Sequence, residues 1–387
     1  MIQFGIDIIL QKPPLWKNKR LALVTNDAAT TNTLQPSRQA LLAKEFNVIK
    51  LFSPEHGLDI KGADGAKMYD GIDSLTQLPV ISLYSHKLQP TYEDLNDIDI
   101  VLFDIPDIGC RFYTYLWTLT YILEACATLK KPLIILDRPN PLSGNIEHAE
   151  GPMLDEKHCS SFIGRWDIPL KHSCTLGELA LYFNISRQIN TDIEVIKCQN
   201  WQRNDFQPQW GIDFVPTSPA MQTFNSALLY PGLGLLEATN ISEGRGTDLP
   251  FRMIGAPWLN NNLLIEKLSN AMLTAEPVDF VPTESKYEGQ LCKGIQLNVT
   301  DKSNFQSVSN GLLLIKWIKD LHPAYFEWKP YPTNVNPTGK QHLDKLLGIH
   351  NSEEIFNLSL NEFIAKMQIL THIPHWKQNV QPFLLYA

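Results

Sequence analysis

The feature that most constrains this chain lies in its first 140 residues, where short apolar runs that do not alternate each end in acidic or polar side chains. LALVTND ends at Asp27, VIKLFSPEHG carries Glu55 and His56, IDIVLFDIPDIG carries Asp104 and Asp107, and PLIILDRPNP carries Asp137 and Arg138. Runs such as IVLF and LIIL lack the polar alternation of a half-exposed strand, so they suit strands buried on both faces of a parallel sheet. In an open α/β sheet the carboxyl ends of the strands form the crevice where ligands sit. A carboxylate repeated at that edge is expected to face a pocket.

Helical patterns separate these runs. Leu41, Leu42 and Phe46 share a face over 36–46, a short helix is expected near 92–95, and a long one over 113–129. Strands are expected at 21–26, 48–52, 80–84, 98–105 and 133–136. Strand–helix alternation of this kind predicts a doubly wound sheet with right-handed crossovers. The Pro/Gly-rich loop PNPLSGNIEHAEGPMLD marks a boundary near residue 150, dividing the chain into domains 1–150 and 151–387. Beyond it the elements are mixed. CTLGELALYFN reads as a helix with a capping box, Thr175 and Glu178, while DIEVIKC and KGIQLNVT read as strands. NGLLLIKWIKDLHP and LSLNEFIAKMQIL read as amphipathic helices. Residues 230–257 have few helix or strand signals, and a long loop of that kind is usually functional.

Composition removes several function classes. A net charge of −8 argues against a nucleic-acid partner, and no apolar run is long enough for a membrane span. The first residues lack the pattern of a signal peptide, so the expected compartment is the cytoplasm, or the periplasm if a leader has been removed. The six cysteines are scattered without a CxxC and are expected to be small buried side chains. His372 and His375 straddle Pro374, and His148, His158 and His172 have no matched partners, so no metal is expected. GLGLLE imitates a dinucleotide fingerprint without its third glycine, and no phosphate loop occurs, so no cofactor is expected either.

SPEHG at 53–57 carries the strongest candidate. Pro54 ends the strand, Gly57 permits a tight turn, and Glu55 is thrust out beside the imidazole of His56. Partial desolvation there would raise its pKa, which suits a general acid. The plainer reading is that Glu55 caps a turn. In DIPDIGCRFYTYLW, Asp104, Arg111 and Tyr113 suit a sugar, since pyranose faces pack on aromatic rings while hydroxyls bond to carboxylates. Tyr115 and Trp117 can equally be a buried helix face. Asp137, Arg138 and Asn140 sit on a turn stiffened by prolines, where a structural Asp–Arg pair is the alternative. Glu150 stands at the inferred domain junction, where clefts form. Glu237, Asn240, Glu243 and Arg245 lie among glycines that would let backbone approach a ligand.

In this order the pieces resemble the family of exo-acting β-N-acetylmuramidases, bacterial glycoside hydrolases of peptidoglycan recycling. The matching stretches are SPEHG (53–57), LPVISLY (78–84), VLFDIPDIGCRFYTYLWTL (101–119), LDRPNPLSG (136–144), EGPMLD (150–155), 228–257 and 285–301. Pro106 departs from the pattern where Gln is expected, as does Ala149 where Val often precedes Glu-Gly-Pro. The resemblance implies an α/β fold, a Rossmann-like doubly wound, mostly parallel sheet followed by a second, smaller α+β domain, with the active site in the cleft between them. It implies release of terminal N-acetylmuramic acid from the non-reducing end of glycan fragments, with Glu55 as the leading acid. The expected partner carboxylate is Asp104 or Glu150, unless the substrate's own 2-acetamido group attacks the anomeric carbon with an Asp orienting the amide, and Tyr113 and His56 would position the sugar or tune the acid. Arg111, Arg138 and Arg245 are candidates for the lactyl carboxylate of muramic acid. A non-catalytic protein binding sugars or nucleotides in the same cleft is the competing reading.

Overall fold

The computed structural model describes residues 1–268 and 272–387. Its strands, in chain order, are β1 (Leu21–Thr25), β2 (Val48–Ser53), β3 (Gly71–Ile72), β4 (Pro79–Ser82), β5 (Ile100–Asp104), β6 (Leu133–Leu136), β7 (Glu150–Met153), β8 (Pro169–Lys171), β9 (Ile193–Ile196), β10 (Met253–Ala256), β11 (Leu273–Phe280) and β12 (Cys292–Val299). A seven-stranded sheet runs β3-β4-β2-β1-β5-β6-β9, parallel throughout except for the antiparallel edge strand β3. Leu23 sits between Leu51 and Leu102 in the central register.

The non-alternating apolar runs are explained by the two cores that this sheet separates. Ala22, Val24, Val101, Phe103, Leu133 and Ile135 point into one core; Leu21, Leu23, Leu51, Leu102, Ile134 and Leu136 point into the other. Successive side chains of a strand face opposite sides, so a strand covered on both must be apolar at every position. The helix Tyr115–Leu129 covers the first face with Leu116, Leu119, Ile122 and Leu123, and ends where Lys130 turns left-handed (φ 51°). The helix Gly5–Gln11 covers the second with Ile6 and Ile9.

The sheet does not stop at residue 150, the boundary expected from Pro and Gly content. The capped helix Leu176–Ser186, with Thr175 and Glu178 in their box, leads into β9, which pairs in parallel with β6. The Pro/Gly-rich segment is therefore a connection within this layer, and it sends out the small β7–β8 hairpin.

The second unit has an antiparallel sheet, β10-β12-β11. Helices Phe224–Leu233 and Ser307–Leu321 pack on each other, Leu360–Thr371 packs on the second of these, and the helix Asn261–Lys267 lies against β11 and β12. The first two approach at Gly232 and Gly311, where a Cβ on Gly232 would lie 2.0 Å from the Ser307 carbonyl oxygen. Residues 230–257 hold more regular structure than their composition suggests: the end of one helix, a 3₁₀ turn over Gly234–Ala238, and β10. Among the described residues no helix is long and apolar enough to cross a membrane.

Candidate active site

Glu55 follows β2 by two residues. Pro54 ends the strand, and left-handed His56 (φ 66°) and Gly57 (φ 76°) turn the chain sharply, which leaves Glu55 at the sheet edge. It lines a hollow closed by residues from both units. His56, Asp64, Tyr84 and Tyr113 come from the first; Glu237, Arg245, Tyr331 and His342 come from the second.

The Glu55 carboxylate is held by neutral donors. Gly65 N–H donates to Oε1 at 3.0 Å and the Thr114 hydroxyl donates to Oε2 at 2.7 Å. Gly65 is left-handed (φ 65°), and a Cβ there would lie 2.7 Å from Thr333 Cγ2, so both its conformation and its surroundings require glycine. Burial raises the Glu55 carboxyl above its ordinary range. The His56 ring opposes that rise, the Asp64 carboxylate adds to it, and the Thr114 and Tyr84 hydroxyls offset part of it. No cation is hydrogen-bonded to Glu55 among the described residues. His56 donates from Nδ1 to the Gly62 carbonyl at 2.8 Å, which fixes the ring and leaves Nε2 as its other polar atom.

Asp64 shows the opposite balance. Burial pushes its carboxyl up, but Arg245, at 3.7 Å, and His56 outweigh that, and the Tyr331 hydroxyl donates to Oδ2 at 2.6 Å. The net direction is downward. Arg245 is ringed by acids: its Nη2 reaches Glu237 at 2.8 Å, its Nε reaches Glu243 at 3.1 Å, and its guanidinium lies 5.0 Å from the Phe251 ring centre. Glu243 also takes Lys286 at 3.0 Å, and Glu237 faces His342 Nε2 at 3.4 Å. Tyr113 lines the hollow with its hydroxyl on Thr217 at 2.5 Å. Two adjacent carboxyls are thus driven apart, one toward keeping its proton and one toward losing it, which is how environment assigns acid and base roles.

Several expected site residues are kept out of the hollow by their own partners. Asp104 is fully buried, with both oxygens on Arg138 at 2.6 and 3.1 Å. Glu150 accepts from Val308 N–H at 3.1 Å and Ser309 N–H at 3.3 Å and pairs with Lys171 at 3.4 Å. It caps the helix Ser307–Leu321 and so ties the two units together. Arg111 is wholly buried. It donates to the carbonyls of Pro152 (2.7 Å), Ile168 (2.9 Å) and Leu346 (3.0 Å), and burial pulls its pKa down to about 10.

Asp137 accepts from the Thr175 and Tyr386 hydroxyls and from Gly177 N–H, and burial pushes it up to about 6. Asn140 bridges Cys174 O and Leu142 N, and Asn240 bridges Tyr325 O and Glu327 N. These carboxylates and amides, and Arg111, are held by partners within the scaffold. Sequence reasoning missed Asp64, Tyr84, Tyr331 and His342. No three His, Cys, Asp or Glu side chains among the described residues converge on a point that could hold a metal ion.

A two-lobed α/β protein that sets a buried carboxyl whose pKa is raised beside one whose pKa is lowered, between tyrosines in an interdomain hollow, has the equipment of a glycosidase. The comparisons agree. The N-terminal model of the exo-β-N-acetylmuramidase NamZ family matches residues 21–225 and the C-terminal model matches 228–386. The peptidoglycan β-N-acetylmuramidase NamZ of Bacillus subtilis strain 168 is 44% identical over 333 residues, which are 84% of this chain and 80% of that protein. Two crystal structures of DUF1343 family proteins from Bacteroides fragilis superpose with TM-scores of 0.87 and 0.76. Each is 28% identical and covers 100% of this chain and 99% of its own. The chain belongs to the exo-β-N-acetylmuramidase family and is a glycosidase.

Proposed function

We propose that this chain removes terminal N-acetylmuramic acid from the non-reducing end of peptidoglycan fragments, with Glu55 as the general acid. The observation that carries this reading is the contrast between Glu55, buried on neutral donors, and Asp64, set 3.7 Å from Arg245. Glu55 gives its proton to the glycosidic oxygen as the bond to the anomeric carbon breaks. The ionised Asp64 stabilises the positive charge that develops on the sugar ring, and water bonds to the anomeric carbon while its proton returns to Glu55. His56 and Tyr113 orient the sugar. Of the three arginines expected to meet the lactyl carboxylate, Arg245 lines the hollow. Its Nε and Nη2 hydrogen-bond to Glu243 and Glu237, and Nη1 is left to meet that carboxylate.

Free thiols at all six cysteines suit a reducing compartment, which supports the cytoplasm as the place of reaction. The test is incubation with a disaccharide carrying N-acetylmuramic acid at its non-reducing end, read by chromatography of the products. Free N-acetylmuramic acid is expected, with none released when N-acetylglucosamine occupies that end. Binding without release would leave a carbohydrate-binding protein instead.

A further inference from the structure

A second crevice lies where the order of the main sheet reverses. From β1 the strands proceed through β2 to β4, and from β5 through β6 to β9, so the reversal falls between β1 and β5. Open α/β sheets collect ligands at that point. Thr30 after β1, Asp107 after β5 and Arg138 after β6 line this crevice, and Phe4, Trp210 and Phe214 close it. Trp210 stands edge-on to Phe4, with ring centres 6.2 Å apart, and the Arg138 guanidinium lies 4.8 Å from the Phe4 ring centre.

Residues that line this crevice carry unmet polar atoms. Asp107 is 7% exposed; its Oδ2 accepts from Gly109 N–H at 2.7 Å and meets His172 at 3.1 Å, while its Oδ1 is buried without a partner. The indole N–H of Trp210 is also buried without one. Arg138 commits Nε and Nη2 to Asp104, Thr30 and Ser37, and its Nη1 makes no hydrogen bond among the described residues. An unmet buried polar group is costly, so a ligand that donates to Asp107 and accepts from Trp210 would be favoured here, with Arg138 Nη1 as a further donor. The charge balance selects against an anion: Asp104 already meets the charge of Arg138, while Asp107 and Asp213 add negative charge. An aromatic wall, hydrogen bonds of both senses and no cation to spare fit a neutral pyranose whose acetamido carbonyl accepts and whose hydroxyls donate.

We propose that this crevice is a second saccharide site, selective for a neutral N-acetylhexosamine and separate from the hollow around Glu55. The choice of an N-acetylated sugar rests on the proposed hydrolysis, whose substrate carries one. Thr217 joins the two sites, because it lines the crevice and its hydroxyl accepts from Tyr113 of the hollow.

Isothermal titration with N-acetylglucosamine tests the proposal without requiring turnover. Saturable binding is expected in the wild type and in Glu55→Gln, weakened about tenfold or more in Trp210→Ala. Trp210→Phe keeps a ring and preserves the fold, and should fall between the two. The proposal is overturned if N-acetylglucosamine does not bind, if neither Trp210 variant weakens it, if Glu55→Gln abolishes it, or if inorganic phosphate displaces it. A wild type that binds the sugar through Trp210 but hydrolyses no muramide would remove the proposed function and leave the saccharide site standing.

Discussion

Glu55 and Asp104 occupy comparable places at the carboxyl ends of β2 and β5, which flank β1 in one sheet, and they meet opposite fates. Asp104 is the last residue of β5, and both its oxygens lie on the Arg138 guanidinium. Glu55 stands just beyond β2 and meets a backbone N–H and a hydroxyl. A cation lies within hydrogen-bond distance of Asp104, whereas only neutral donors hydrogen-bond to Glu55, whose carboxyl burial raises. Placement at a strand end therefore nominates a carboxylate, and the partner it finds decides whether it does chemistry or holds the scaffold.

The sharpest way to break this comparison is to remove the ionisable proton from one residue and the negative charge from the other. Glu55→Gln keeps the shape and the Gly65 contact but cannot give a proton. Turnover of a chromogenic N-acetylmuramide is expected to fall about 10²- to 10⁴-fold with an unchanged circular dichroism spectrum. Retention of most of the rate would take Glu55 out of the acid role. Asp104→Asn should do the reverse, because it leaves a buried guanidinium without its counter-charge. A loss of about 3–5 kcal/mol in urea unfolding is expected, while KM of the protein that remains folded holds. A stable Asp104→Asn protein with collapsed kcat would reverse the two assignments.

What the sequence could show follows the same division. The sheet was legible because its strands are covered on both faces, and Leu133–Leu136 is read to the residue. Glu55 was legible because a strand, a proline and a turn glycine fix its position locally. Tyr84, just past β4, carried a signal of the same kind that went unused. Asp64 is different: it lies in a Gly-rich loop, and what makes it a site residue is Arg245 and Tyr331, 181 and 267 residues further on. Arg111 fails for the converse reason. Beside two acids and an aromatic run it reads as a ligand-binding cation, yet the carbonyls that absorb it belong to Pro152, Ile168 and Leu346. The boundary at residue 150 missed β9 because a parallel edge strand arrives only after another helix, and loop composition cannot announce that.

Asp64 sharpens the comparison within the hollow itself. Its carboxyl is shifted down and Glu55's is shifted up, so the active form has Asp64 ionised and Glu55 protonated. The rate should fall as rising pH strips Glu55 and as falling pH protonates Asp64, giving a bell. Asp64→Asn is expected to lower the rate about 10²-fold and to erase the acid limb while the alkaline limb stays. An acid limb that survives the substitution belongs to another group.

The smallest effect is on stability, and its sign separates an acid site from a scaffold pair. Because the Glu55 carboxyl is raised in the folded protein, the folded state holds that proton more tightly than the unfolded chain does. Between the unfolded pKa and the higher folded one the native state binds more protons, so stability declines as pH rises through that window and stays lower above it. Glutamine cannot ionise and escapes this decline. Glu55→Gln should therefore match the wild type near pH 4 and melt about 1–3 °C higher at pH 8. Asp104→Asn, which unpairs a buried charge, should melt lower at pH 8. A Glu55→Gln protein that also loses stability at pH 8 would mean that the ionised carboxylate is favourably held there, and Glu55 would then join Asp104 as part of the scaffold.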